Sequence, residues 1–277
     1  MTKLYNAPAT PTRLKMIDQA LRDEIAEKSS YLAAKYPDVF DIDGPVENRH
    51  LTALENDALN HSILIECPRK RYTLTANGPK TAIRRKRKQL DAQIKEAWTW
   101  GKHDYLKHVQ EGTYPLTEDL LLGISQRIEP GHAATYRRAD IRVTQSFVVR
   151  PSHERVRDHI GQWLDRCKKL PPLEQAIHSH FTLVYIHPFL DGNGRTARMV
   201  QNVILRCNHL PPAVIKHGER EFYIDQLERA LCAYADRQDR DEKISGAERA
   251  FYTYLASKVN IALEDLLENL EKNGSNQ

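Results

Sequence analysis

Apolar residues recur every three or four positions through most of this chain, a spacing typical of amphipathic α-helices. In the first such stretch, Leu14, Ile17, Leu21, Ile25 and Leu32 fall on one helical face. Glycine accounts for only 12 of the 277 residues, which disfavours a β fold with many turns. The sequence therefore predicts an all-α protein with a single short β-hairpin.

The same spacing, with ends set by prolines and capping residues, predicts helices along the whole chain. They cover 14–32, 51–65, 90–109, 116–127, 153–168, 171–186, 193–207, 220–236 and 245–271. The exception is 141–149, where β-branched residues alternate with polar ones and indicate the hairpin.

The composition excludes several classes of protein. Hydrophobic residues make up 40% and charged residues 28%, which argues against disorder. No apolar run approaches the ~20 residues of a membrane span, and the first residues do not resemble a signal peptide. The four cysteines lie far apart without CxxC pairs, which favours reduced thiols. We therefore expect a cytoplasmic protein with no membrane partner.

Positive charge is concentrated in 69–88, which holds nine basic side chains although the formal net charge of the chain is only +4. Few aromatic residues lie among them, which favours a solvated loop and helix start. The alternative is a nucleic-acid or localisation patch.

One twelve-residue segment, 187–198, carries the residues for chemistry. It reads His-Pro-Phe-Leu-Asp-Gly-Asn-Gly-Arg-Thr-Ala-Arg and joins two apolar helices. The amides at the start of the second helix lack intrahelical partners and favour an anion. Gly192 and Gly194 allow the backbone to approach a phosphate closely. The segment therefore predicts a phosphate site.

Charged side chains in this segment suit a nucleotide and a reacting hydroxyl. Arg195 and Arg198 are three residues apart on one side of the helix and can fork onto phosphate oxygens. Asp191 offers the hard oxygen ligand that Mg²⁺ on a nucleotide needs. His187 is a natural general base, because imidazole accepts protons near neutral pH.

The segment matches the Fic (fido) family signature HxFx(D/E)GNGRxxR at every fixed position, and the chain resembles that family over roughly 109–245. The resemblance implies a Fic-type helical bundle with a β-hairpin flap and extra terminal helices. We accordingly predict an N-terminal helical region over 1–108, a catalytic core over 109–245, and a C-terminal helix and tail over 246–277.

The resemblance also implies an activity: transfer of AMP from ATP to a Ser, Thr or Tyr hydroxyl of a target protein, with pyrophosphate leaving. His187 would deprotonate the target hydroxyl, and Asp191 would hold Mg²⁺ on the phosphates. Asn193, with the Gly192 and Gly194 amides, would stabilise charge on the α-phosphate.

Other residues take roles from the same resemblance. Arg195 and Arg198 would position the β- and γ-phosphates, and Tyr223 would lie against the nucleotide base. The flap, consisting of Asp140, Ile141, Arg142 and Val143, would pair with the target backbone as an added strand.

Many Fic proteins carry an inhibitory helix with the motif (S/T)xxxE(G/N). Here the helix over about 46–66 ends in Ser62-Ile-Leu-Ile-Glu66, and Cys67 replaces the usual Gly or Asn. By resemblance, Glu66 would pair with Arg198 and prevent productive placement of the γ-phosphate. Loss of Glu66 should then raise AMP transfer and self-modification, and Glu66 could also serve removal of AMP.

Two other functions are compatible with parts of the sequence. The first is a nucleotide-sensing regulatory protein in which 69–88 binds nucleic acid, with salt-sensitive affinity. The second is a metal-dependent phosphohydrolase, although His178 and His180 alone supply few ligands. Homodimerisation, frequent in Fic relatives, is left open by the sequence.

Overall fold

The structure is a computed structural model that describes residues 16–41, 49–66, 80–131, 135–144, 146–236 and 244–274. The side chains at 66, 80–87 and 274 are outside this description. The predicted basic segment 69–88 therefore lies almost entirely outside the described residues, as does the side chain of the predicted inhibitory Glu66.

Nine α-helices and two short 3-10 turns account for the regular structure of the described residues. The helices are α1 Gln19–Lys35, α2 Arg49–Glu66, α3 Lys80–Gln110, α4 Glu118–Ile128, α5 Val156–Cys167, α6 Pro172–Ile186, α7 Asn193–Cys207, α8 Arg220–Asp236 and α9 Gly246–Gly274. The prediction of an all-α protein is confirmed. No helix among these residues is long and apolar enough to cross a membrane.

Capping residues set several of the helix ends. Thr117 accepts a hydrogen bond from the Leu120 amide at 3.0 Å, so α4 begins at Glu118, two residues after the start of the predicted range. Asp18 accepts from the Leu21 amide in the same way, so α1 begins at Gln19, later than the apolar spacing predicts. Helix α3 begins at Lys80, ten residues before the predicted start. The prediction missed its first turns because their sequence lacks apolar periodicity.

The two helices that flank the predicted phosphate segment, α6 and α7, form the centre of the fold. Nearly every residue of both is buried, as expected for helices covered on all sides. The surrounding helices cover them in pairs: α3 and α4 pack on α7, while α5 and α9 pack on α6. The junction between α6 and α7 thus lies between two helices that are buried along nearly their whole length.

The predicted β-hairpin over 141–149 is wrong for the described residues, since none of 135–144 or 146–150 lies in a strand. The alternation itself is present: Phe147 and Val149 are 89% and 86% exposed, and Val148 between them is buried. The Phe147 amide, however, donates to a side chain, Glu228 Oε1 at 2.6 Å. An extended segment becomes a strand only when its backbone pairs with another strand.

Candidate active site

The chain turns sharply where α6 ends, at His187. This residue adopts φ 51° and ψ 59°, a left-handed conformation, and its amide donates to the Leu183 carbonyl at 2.9 Å. For a residue other than glycine this conformation costs on the order of 1 kcal/mol. Such strain is typical of functional sites, and here it fixes the direction in which the imidazole leaves the backbone.

A second left-handed residue, Gly192, begins α7. Its φ is 76°, and a Cβ placed there would lie 2.9 Å from Glu129 Cγ and 3.3 Å from Ile128 Cγ2. Both the backbone conformation and the space therefore require glycine. No described side chain caps α7, so the amides of its first turn remain suited to an anion, as predicted.

The loop between these two residues is closed by Asn193. Its Oδ1 accepts from the Phe189 amide at 2.9 Å, and its Nδ2 donates to the Phe189 carbonyl at 2.8 Å. The side chain is buried, and its amide is used at both ends. In this structure the side chain of Asn193 thus shapes the loop, and its contact with an α-phosphate stays a prediction.

The imidazole of His187 lies half-buried at the edge of this loop. Its Nδ1 is 3.4 Å from the Val184 carbonyl oxygen. A carbonyl can only accept, so this contact favours the tautomer with the proton on Nδ1 and a lone pair on Nε2. That tautomer is the one a general base requires.

The two motif arginines are engaged by different parts of the protein. Arg195 makes a close ion pair with Glu129, just beyond the end of α4, and lies 3.7 Å from Asp191. Arg198 donates to the Oγ and the carbonyl of Ser62 at 2.9 and 3.1 Å. The two guanidinium groups therefore have different partners in this structure, and their joint binding of phosphate stays a prediction.

The C-terminal end of α2 contacts the site through its backbone. Besides the Ser62 carbonyl, the Ile65 carbonyl accepts from Arg220 Nε at 2.7 Å. The last carbonyls of a helix carry partial negative charge and lack intrahelical donors, so cationic side chains stabilise them. Two arginines thus hold the turn of α2 that contains the predicted inhibitory motif.

Tyr223 is not placed to meet a nucleotide base in this structure. It is 1% exposed, and its hydroxyl lies 2.9 Å from His180 Nε2 and 3.5 Å from Arg198 Nη1. His180 Nδ1 in turn lies 2.6 Å from Gln201 Oε1. Tyr223 thus takes part in a buried hydrogen-bond chain that ends on Arg198, and its contact with a nucleotide base stays a prediction.

Sequence reasoning missed Arg137 as a residue that supports the site. Its Nε donates to the His187 carbonyl at 2.9 Å, and its amide donates to the Pro188 carbonyl at 2.9 Å. Burial lowers the pKa of this guanidinium, and Asp140 partly offsets the shift. The contact spans fifty positions, and no local pattern in the sequence marks it.

The predicted flap residues lie next to this arginine. Asp140 Oδ1 accepts from the His153 amide at 2.8 Å and lies 3.0 Å from the Nδ1 atom of the same histidine. These contacts lower the pKa of Asp140. Ile141 and Val143 are half-buried, and Arg142 is exposed. The flap is therefore tied to the protein at its first residue and leaves Arg142 in solvent.

A magnesium ion could be held here by Asp191 together with a nucleotide. The Asp191 side chain is 70% exposed, and its Oδ1 accepts from the Gly192 amide at 2.6 Å. The described residues contain no group of three or more His, Cys, Asp or Glu side chains that could hold a metal. The donor set thus fits Mg²⁺ that arrives on a triphosphate and takes most of its ligands from phosphate and water.

Together, the fold and the loop define a class: an α-helical protein in which a histidine lies beside a helix N-terminus without a side-chain cap. Comparison with known proteins agrees, since residues 115–205 match the model of the Fic/DOC family. The match covers about a third of the chain, and over this segment the resemblance to the Fic family found in the sequence is confirmed.

Two similar proteins have names that contain the family name Fic. The Protein adenylyltransferase Fic of Nematostella vectensis is 28% identical over 239 residues, 82% of this chain and 54% of that protein. The Protein adenylyltransferase fic-1 of Caenorhabditis elegans is 36% identical over 106 residues, 35% of this chain and 21% of that protein. The chain thus spans about half the length of the sea-anemone relative, and less of the nematode one.

Solved structures show the same fold at low identity. A Fic-domain-containing signalling protein from Bacteroides thetaiotaomicron has a TM-score of 0.62 at 18% identity, covering 90% of this chain and 98% of that one. A Fic family protein from Desulfovibrio desulfuricans has a TM-score of 0.62 at 19% identity, covering 94% and 75% of the two chains.

Proposed function

We propose that this chain transfers AMP from ATP to a hydroxyl side chain of a target protein and releases pyrophosphate. The observation that carries the proposal is the position of His187, held in a left-handed turn beside the uncapped N-terminus of α7. The relatives named protein adenylyltransferase support the choice of reaction. The core over 109–245 would contain this site, flanked by helical regions over 1–108 and 246–277.

In the proposed reaction, the target hydroxyl oxygen attacks the α-phosphorus of ATP. A bond forms between that oxygen and phosphorus, the bond from phosphorus to the bridging oxygen of the β-phosphate breaks, and pyrophosphate leaves. His187 Nε2 takes the hydroxyl proton. The amides of the first turn of α7 stabilise the charge on the α-phosphate, while Mg²⁺ held by Asp191 would neutralise phosphate charge.

The end of α2 would restrain this reaction. Arg198 is the natural partner of a terminal phosphate, and its guanidinium here donates to Ser62. ATP and the end of α2 would therefore compete for the same donors. We propose that Glu66, one turn beyond Ser62, adds a carboxylate to this competition. The chain would then be self-inhibited.

Intact-mass spectrometry tests the proposed activity and its restraint together. After incubation with Mg²⁺ and ATP, Glu66→Gly should gain the mass of AMP at least tenfold faster than the wild-type chain. Glu66→Gly/His187→Ala should gain none, because the base is lost. Absence of AMP in Glu66→Gly despite ATP binding would contradict the proposed reaction. Equal rates in Glu66→Gly and wild type would contradict the restraint.

A further inference from the structure

Polar contacts join α2 and α7 at two levels, and the helices run in opposite directions. At the candidate site, Arg198 Nε donates to Ser62 Oγ at 2.9 Å. At the other level, Arg206 Nε donates to Glu55 Oε1 at 2.5 Å. Glu55 and Ser62 are two turns apart on α2, and the two arginines slightly more than two turns apart on α7. The levels are therefore about 10–12 Å apart along both helices.

The level at Glu55 is a buried cluster of charges. Glu55 is 8% exposed, and its Oε2 also accepts from Trp98 Nε1 at 2.9 Å and Lys102 Nζ at 3.3 Å, both on α3. Arg206 is 5% exposed and donates through Nη1 to the Phe40 carbonyl at 2.7 Å. Charge-assisted hydrogen bonds of this kind are strong and directional, and loss of one partner leaves a buried charge uncompensated.

Most of the buried face of α2 consists of apolar side chains, among them Leu51, Leu54, Leu59 and Ile63. Apolar burial stabilises contact but is not directional, so it tolerates small rotations and shifts along the helix axis. Away from the site, α2 also makes hydrogen bonds through His50, whose Nε2 lies 3.1 Å from Asn269 Nδ2, and through His61, whose Nδ1 accepts from the His217 amide at 3.1 Å. The carboxylate of Glu55 differs from these contacts because it is a buried charge bound from two helices, and it therefore favours one rotation and one register of α2 more strongly.

We infer that Glu55 is the anchor of the restraint: it positions α2 so that Ser62 and the residues after it return to Arg198. This inference rests on the proposed function. When ATP displaces the contact at Arg198, the contact at Glu55 persists and keeps the end of α2 at a high effective concentration near the site. Glu55 thus acts as a positioning residue without touching nucleotide, target or motif.

The test is Glu55→Gln, assayed by intact-mass spectrometry with Mg²⁺ and ATP. The amide removes the charge that binds Arg206 and Lys102 but nearly keeps the volume. We expect AMP self-modification to rise about tenfold over wild type. This is the change in rate expected when the restraint loses the stabilisation of one charge-assisted hydrogen bond. The apparent KM for ATP should fall as well, because ATP competes with a weaker restraint. A purely structural defect would lower the rate instead.

Glu174→Gln is the matched control. Glu174 on α6 is also buried and pairs with Arg22 on α1 at 2.9 Å, away from α2. Glu174→Gln should lower the free energy of unfolding without raising the rate of AMP transfer. Trp98→Phe is the milder variant, because it removes one donor to Glu55 and leaves the Arg206 pair. It should raise the rate about threefold, and it decides the question if Glu55→Gln does not fold.

Glu66→Gly separates this inference from the proposed function. If Glu66→Gly transfers AMP but neither Glu55→Gln nor Trp98→Phe exceeds wild type, the anchor is overturned and the function stands. If Glu66→Gly transfers none, the function itself fails. Glu55→Gln should raise the rate less in the Glu66→Gly background than in the wild-type chain, because only the Ser62 contacts with Arg198 are left to weaken. An equal or larger rise in the double variant would show that Glu55 does not act through the end of α2 and would contradict the inference.

Discussion

The loop 187–193 and the segment 137–150 lie side by side, joined by Arg137, yet they are held in place differently. The loop is closed by its own residues: Asn193 binds the backbone of Phe189, four positions away. The neighbouring segment is held by a distant helix, since the Phe147 amide donates to Glu228, 81 positions away. One conformation is therefore local, and the other depends on tertiary contacts.

The largest expected effect comes from breaking the loop at Asn193. Asn193→Ala leaves both the amide and the carbonyl of Phe189 without their partners, which should lower the free energy of unfolding by about 2 kcal/mol. AMP self-modification, measured in the Glu66→Gly background, should fall at least about a hundredfold, because His187 and the α7 amides lose their relative position. Urea unfolding and intact mass measure the two effects.

Hydrogen exchange shows whether the damage is local. In Asn193→Ala the Phe189 amide should exchange faster, while the Phe147 amide keeps its protection. Faster exchange at both amides would mean that the two regions form one cooperative unit. This result would contradict the conclusion that the two regions are held in place independently.

A smaller effect is expected from releasing the neighbouring segment at Glu228. Glu228→Ala removes the acceptor of the Phe147 amide and of the Ser146 hydroxyl. The Phe147 amide should then exchange faster, and the free energy of unfolding should fall by about 1 kcal/mol or less. Glu228→Gln is the control, since its carbonyl oxygen can still accept from that amide. If hydrogen exchange at the Phe147 amide is unchanged in Glu228→Ala, then Glu228 does not hold this segment in place.

The same contrast explains which features the sequence could predict. The helices, and the glycine-containing turn that joins α6 to α7, depend on residues within a few positions of one another. The exposure of Phe147 and Val149 does not follow from the alternation, which groups them with Ile141 and Val143 on an apolar face, and the strand is absent because pairing requires a second strand.

Contacts between distant residues were not predictable from local patterns. Arg195 meets Glu129 across 66 positions, and Arg198 meets Ser62 across 136. The spacing of the motif does not indicate which elements the two arginines meet, and only the family resemblance of 62–66 leads us to expect Arg198 at the end of α2. The burial of Tyr223 against His180 is of the same kind, because it depends on how α6 and α8 pack.

The measurement that tests the central claim most directly follows the transferred group. Glu66→Gly and Glu66→Gly/His187→Ala are incubated with Mg²⁺ and ATP labelled at either the α- or the γ-phosphorus, and label on protein is counted. Label from the α-position alone, in Glu66→Gly and not in the double variant, is the predicted result. Label from the γ-position, or α-label that survives loss of His187, would contradict AMP transfer with His187 as the base.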